Sequence, residues 1–132
     1  MYSNDLLERM DYIQVSVTNL AESVRWYSDH FGFKEDFNNG KLSVLLPFTD
    51  ATPVGLPTLL LNQAGKNPNW FVDSIGDKHA MHGFHTKRIK ELYQHCREKN
   101  IECSEVLDEG FAFFLEFYDL DKNMFSVIEL KN

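Results

Sequence analysis

Polar and apolar residues alternate strictly from Tyr12 to Val17, which puts Ile13, Val15 and Val17 on one face and Tyr12, Gln14 and Ser16 on the other. Successive side chains of a strand point to opposite sides, so this segment predicts a half-buried strand. The period then changes, and Leu20, Val24, Tyr27 and Phe31 recur at i, i+4, i+7 and i+11. That stripe predicts a helix from about Leu20 to Phe31, with Asn19 as its N-cap, Glu22 placed as in a capping box and Gly32 at its end. Three further strands are expected, Phe33 to Phe37, Leu42 to Leu46 and Thr58 to Asn62. The turn Asn38-Asn39-Gly40 and a proline-studded loop from Pro47 to Pro57 separate them.

Residues 63–78 carry Gly65, Pro68 and Gly76 among polar residues without a period, and read as a connector. The pattern then returns. His79 to Thr86 predicts a strand, and Ile89, Leu92, Tyr93 and Cys96 predict a helix from about Lys87 to Lys99. Glu102 to Leu107, Phe111 to Tyr118 and Met124 to Leu130 predict three more strands. A shift of 69 residues lays Leu20 on Ile89, Val24 on Tyr93 and Tyr27 on Cys96. A repeat at a fixed offset means one structural unit used twice. The expected architecture is therefore α+β, a single domain over residues 1–132 made of two βαβββ modules, at about 8–62 and about 79–132, joined by the connector 63–78.

Composition adds constraints to that picture. A chain of 132 residues supports one core, and aromatic residues at 14%, with eleven Phe, call for a thick core or an apolar cavity. Thirteen Lys and Arg against 20 Asp and Glu give a formal charge of −7, which opposes binding to a phosphate backbone and argues against a nucleic-acid partner. No run approaches the roughly 20 apolar residues of a membrane span. The first residues lack the basic start and apolar stretch of a signal peptide. Cys96 and Cys103 match no metal spacing and are expected as reduced thiols, which favours a cytoplasmic location.

The residues Val17-Thr18-Asn19-Leu20, Val24-Arg25-Trp26-Tyr27 and Phe31-Gly32-Phe33 resemble, in order and spacing, the Val-x-Asp-Leu, Phe/Trp-Tyr and Leu-Gly-Phe run of the vicinal oxygen chelate superfamily. That superfamily is the fold of glyoxalase I, bleomycin-resistance proteins and extradiol dioxygenases. Asp119-Leu120-Asp121-Lys122-Asn123 stands where it usually has Asp-Pro-Asp-Gly-Asn. The likeness covers nearly the whole chain. It implies paired half-barrels around a shared cavity, and a homodimer in which a second chain covers the sheet edges. Combined with the alternation, it directs Tyr12, Gln14, Leu60, Met81, His85, Phe114, Glu116, Tyr118 and Ser126 towards a ligand pocket.

Enzymes of the superfamily usually hold a divalent metal with His, Gln or Glu on the first and last strand of each unit. Carried over residue by residue, those positions are Tyr12, Leu60, Met81 and Ser126, none a usual ligand. No metal and no other cofactor is therefore expected. A register shift of one residue would bring in His82, but would turn its whole strand over. His79, His82 and His85 form a rival cluster, yet one strand cannot aim all three at one ion, so adventitious or structural histidines are expected in place of a metal cluster. His85 and Glu116 are candidates for fixing a ligand, or for bonding each other or the backbone.

Two functions follow from the resemblance. One is a binding module, similar to the bleomycin-resistance branch, that holds a small molecule without a metal. The other is a lyase, isomerase or dioxygenase with a displaced metal or with metal-free acid/base chemistry by His85 and Glu116.

Overall fold

The computed structural model describes residues 6–8, 10–47 and 57–132. The first module runs β1 (Tyr12–Val17), α1 (Leu20–Phe31), β2 (Lys34–Asn38), β3 (Leu42–Leu46) and β4 (Thr58–Gln63). Its sheet has the order β1-β4-β3-β2, with β1 parallel to β4 and the other pairs antiparallel. A hairpin of β5 (Trp70–Val72) and β6 (Lys78–Ala80) comes next. The second module follows with β7 (His82–His85), α2 (Ile89–Glu98), β8 (Leu107–Asp108), β9 (Ala112–Tyr118) and β10 (Met124–Leu130). Its order, β7-β10-β9-β8, repeats the first sheet, again with the first and last strands parallel. The two sheets with their helices are the paired half-barrels that the resemblance implies.

The local signals explain the elements. Asn19 Oδ1 accepts from Glu22 N at 3.1 Å, and Gly32 closes α1 in the left-handed region at φ 70°. Ile13, Val15 and Val17 face α1 with Leu59 and Leu61, whereas Tyr12, Gln14 and Leu60 lie on the other face. Helix α2 starts at Ile89, later than its periodicity suggests, because Arg88 offers no side-chain cap. Glu129 of β10 accepts from Ile89 N at 2.8 Å instead.

Three expectations change. The strand expected from His79 to Thr86 is broken at Met81, so His79 belongs to the β5–β6 hairpin and His85 to the second sheet. The connector carries that hairpin because Asp73 Oδ1 accepts from Ile75 N and Asp77 N across a turn whose Gly76 sits at φ 94°. Buried Asn69 docks it, its side-chain amide bonding Met124 O at 3.0 Å and Met124 N at 2.6 Å. Between Glu102 and Leu107 only a bridge from Cys103 to Phe117 and the start of β8 are strand-like. There the Ser104 hydroxyl accepts from Glu116 N and takes a rung of the ladder. Most of the proline-studded loop lies outside the described residues.

One core serves both modules. Tyr27, Phe33, Leu45, Leu59 and Leu61 of the first meet Cys96, Ile101, Phe117, Phe125 and Val127 of the second. Ring contacts cross the join, Phe31 to Phe117 at 5.0 Å and Phe33 to Phe84 at 6.1 Å among them. At its centre the fully buried Tyr27 donates its hydroxyl to Asp119 Oδ2 at 2.6 Å. Asp119 also accepts from Asp121 N, Asn123 N and Asn123 Nδ2. Asn123 reaches Ser16 O, and Asp121 holds Thr18 through both its backbone and its hydroxyl. This turn sets Lys122 at φ 64°, the left-handed position that glycine occupies more cheaply. Trp26 lies half-buried on the flank of α1 against Tyr27, His30 and Phe31.

Burial, then the neighbouring Asp119, pushes the Tyr27 phenol well above its ordinary 10.0. The folded chain keeps a proton that the unfolded chain releases near pH 10. Stability from this group is therefore complete below about pH 10 and is lost as pH rises above it. Tyr27→Phe should cost about 1.5–3 kcal/mol at neutral pH, since it leaves a buried carboxylate short of a donor. In urea melts between pH 8 and 11 it should also flatten the alkaline fall relative to the parent. A variant as stable as the parent at pH 7 would remove Asp119 from the join.

Candidate functional site

On the face of the second sheet turned away from the shared core lies a cavity of about 520 Å³. Its walls include Phe111, Phe114 and Leu107, with Glu116 and Ser126 from the paired strands β9 and β10 and His79 from the hairpin. Side-chain alternation makes this site. Leu115 and Phe117 are buried towards the core, so Phe114 and Glu116, which alternate with them, turn to the open side. Gly83 of β7 lies beside Ser126, where an added Cβ would meet Ser126 O at 3.3 Å, so the close approach of these strands favours glycine.

The polar groups of the lining are His79, Ser104, Glu109, Glu116 and Ser126. The Glu116 carboxylate and the Ser126 hydroxyl make no hydrogen bond to the described residues. The Ser104 hydroxyl is committed to Glu105 O and Glu116 N. His79 Nε2 lies 2.7 Å from Asp73 Oδ2, and its ring stacks on Phe71 with centroids 5.3 Å apart. The hydrogen bond to His79 holds the Asp73 carboxyl below its ordinary range, helped by the backbone N–H groups of Asp77 and Ile75.

The structure brings together Phe114, Glu116 and Ser126 of the residues the sequence pointed to. Tyr118 stands nearby on the same strand, its ring 4.9 Å from Lys78 Nζ, which also lies 4.5 Å over Trp70. Met81 is exposed at the break between β6 and β7. Tyr12, Gln14 and Leu60 line up on the open face of the first sheet, outside this cavity, with Gln14 Oε1 accepting from Asn62 Nδ2 at 3.0 Å. His85 lines a separate cleft of about 320 Å³ with Phe31, Phe33, Phe84 and Leu92, so it does not pair with Glu116.

The contribution of His79, Leu107 and Phe111 was missed. As one strand, residues 79–86 would place His79 and His85 on a common face, which the break at Met81 undoes. The signal that could have shown this is the turn Asp73 to Asp77, flanked by the apolar Trp70-Phe71-Val72.

The donors do not suit a divalent metal. Tyr12, Leu60, Met81 and Ser126 supply no carboxylate or imidazole, and among the described residues no three of His, Cys, Asp and Glu gather as a metal site. His82 leans on Phe125, with centroids 6.4 Å apart, and burial lowers its pKa. Nor is there a thiolate nucleophile, since burial pushes Cys96 up to about 12 and raises Cys103.

The model of the glyoxalase/bleomycin resistance protein/dioxygenase superfamily matches residues 9–127. A member of that superfamily from Sphaerobacter thermophilus is 15% identical, with a TM-score of 0.73 over 94% of this chain and 98% of its own. TnmS3, an antibiotic binding protein from Streptomyces sp. CB03234, is 13% identical, with a TM-score of 0.71 over 96% and 98%. The fosfomycin resistance protein FosX from Listeria monocytogenes, in complex with Mn(II) and sulfate, is 16% identical, with a TM-score of 0.68 over 96% and 93%. At these identities the solved structures speak for the fold alone. No curated protein matches the sequence.

The face assignment predicts opposite outcomes for two neighbours. Leu115→Ala should cost about 2–5 kcal/mol by opening the core, whereas Glu116→Ala should change stability by no more than about 0.5 kcal/mol. Denaturant melts check both, and a large loss at Glu116 would place its carboxylate in a structural network.

Proposed function

The chain belongs to the glyoxalase/bleomycin resistance protein/dioxygenase superfamily, and from that premise we propose that it binds a small, partly aromatic molecule without a catalytic metal. The observation that carries this reading is the composition of the 520 Å³ cavity, in which aromatic and aliphatic walls surround a few polar groups. Pockets that recognise small organic molecules are built in this way. The description of TnmS3 as an antibiotic binding protein supports a binding role for this architecture. Against a metal-dependent reaction stand the four positions Tyr12, Leu60, Met81 and Ser126.

A metal-free lyase or isomerase is the second reading. One observation favours it, that three titratable groups, His79, Glu109 and Glu116, line the cavity. A dioxygenase has no such support from these residues.

The same reading includes a homodimer. The open face of the first module, with Tyr12, Gln14 and Leu60, is turned to solvent, as is the cavity of the second. Tyr12 is 49% exposed and Phe111 62%. A second copy seated across these faces would enclose the ligand and cover Leu107 and Leu130 as well.

Protein purified without a chelator or an affinity tag should carry well under one equivalent of Mn, Fe, Ni or Zn per chain by elemental analysis. Adding Mn(II) should leave its melting temperature unchanged. One tightly held ion per chain, lost on mutation of His82 or His85, would overturn the metal-free reading. Light scattering at micromolar concentration should give the mass of two chains, and a monomer mass would remove the dimer.

A further inference from the structure

The binding reading leaves open which chemistry the cavity prefers, and the β5–β6 hairpin bears on that choice. Asp73 uses its two oxygens for different tasks. Oδ1 accepts from Ile75 N at 3.0 Å and from Asp77 N at 2.9 Å, which builds the turn. Oδ2 faces His79 Nε2 at 2.7 Å. A carboxylate only accepts, so Nε2 carries a proton in either charge state of the ring, and in the neutral ring Nδ1 is left as a bare acceptor. Stacking on Phe71 limits rotation of the ring. No described residue donates to Nδ1.

Glu116 lines the same cavity as His79, and its carboxylate has no partner among the described residues. The Ser126 hydroxyl can serve either way, and the Ser104 hydroxyl is already committed. The cavity is thus rich in acceptors and poor in fixed donors, against walls formed by Phe111, Phe114 and Leu107.

We propose that Asp73 sets the tautomer of His79 so that the cavity selects molecules with an apolar ring body and a head group that donates hydrogen bonds, such as a phenol. This rests on the cavity being the binding site. Asp73 is then a positioning residue for specificity, and His79 is the group that touches the ligand. A site whose acceptors must be satisfied rejects an analogue that lacks the donor, because bringing that analogue in strips water from the acceptors without replacing it.

The test compares 2-naphthol with 2-methoxynaphthalene, which share a body and differ in one donor. Titrations on the full chain should show 2-naphthol binding about tenfold more tightly, the loss expected for one hydrogen bond. Nitrogen-15 spectra of labelled histidine should show His79 protonated on Nε2. D73N keeps a carbonyl oxygen for the turn but offers an amide N–H to Nε2, so the His79 proton should move to Nδ1. The preference for the naphthol should then fall to about one, with the fold intact by circular dichroism. Equal binding of both compounds to the parent would overturn the proposal and leave the binding reading standing. A His79 proton on Nδ1 in the parent would overturn it as well. If neither compound perturbs resonances of Phe114 or Ser126, the cavity itself falls as a binding site.

Discussion

A carboxylate buried at the junction of the two modules governs this molecule. Asp119 is 5% exposed and gathers donors from the Tyr27 hydroxyl, the Asn123 amide and two backbone N–H groups. Burial raises its pKa, and the donors pull the other way. A charge so placed is tolerated only when its lone pairs are satisfied, so α1 and the β9–β10 turn must meet in one geometry. Asn123 and Asp121 extend the same bonds to Ser16 and Thr18 at the end of β1. The aromatic core then closes around a join already specified by polar groups.

That join decides which faces of the two sheets stay open. Because the helix-bearing faces are consumed in the common core, each sheet keeps its other face open. On the second sheet, alternation along β9 sends Phe114 and Glu116 to that face, and the hairpin adds His79 at its margin. The site is thus a consequence of two constraints, the period of a strand and the burial of its opposite side. Its chemistry comes from the residues that neither constraint needs for stability.

The hairpin is the part of the chain that departs from a simple repeat. Asn69 imitates a strand partner for Met124, and Asp73 builds the turn and holds His79. These are side-chain bonds to backbone, which leave little trace in hydropathy. They nonetheless separate His79 from His82 and His85, which share a short stretch of sequence and have unrelated surroundings. His79 pairs with Asp73, His82 leans on Phe125, and His85 borders the cleft beside Phe31.

Periodicity by itself determined the repeated unit, both helices and the core stripes, and β1, α1, β3 and β10 have the bounds their patterns imply. Such features are local, since a strand or helix that buries one face writes that face into its own residues. The resemblance carried by the residues around Tyr27 extended this to the family. Only the tertiary structure decided that Tyr12, Gln14 and Leu60 lie on a different sheet from Phe114, Glu116 and Ser126, and that His79 replaces His85 beside Glu116. Alternation tells which residues share a face of one strand. Which faces then meet depends on packing between segments far apart in the chain, here on Tyr27 finding Asp119 across 92 residues.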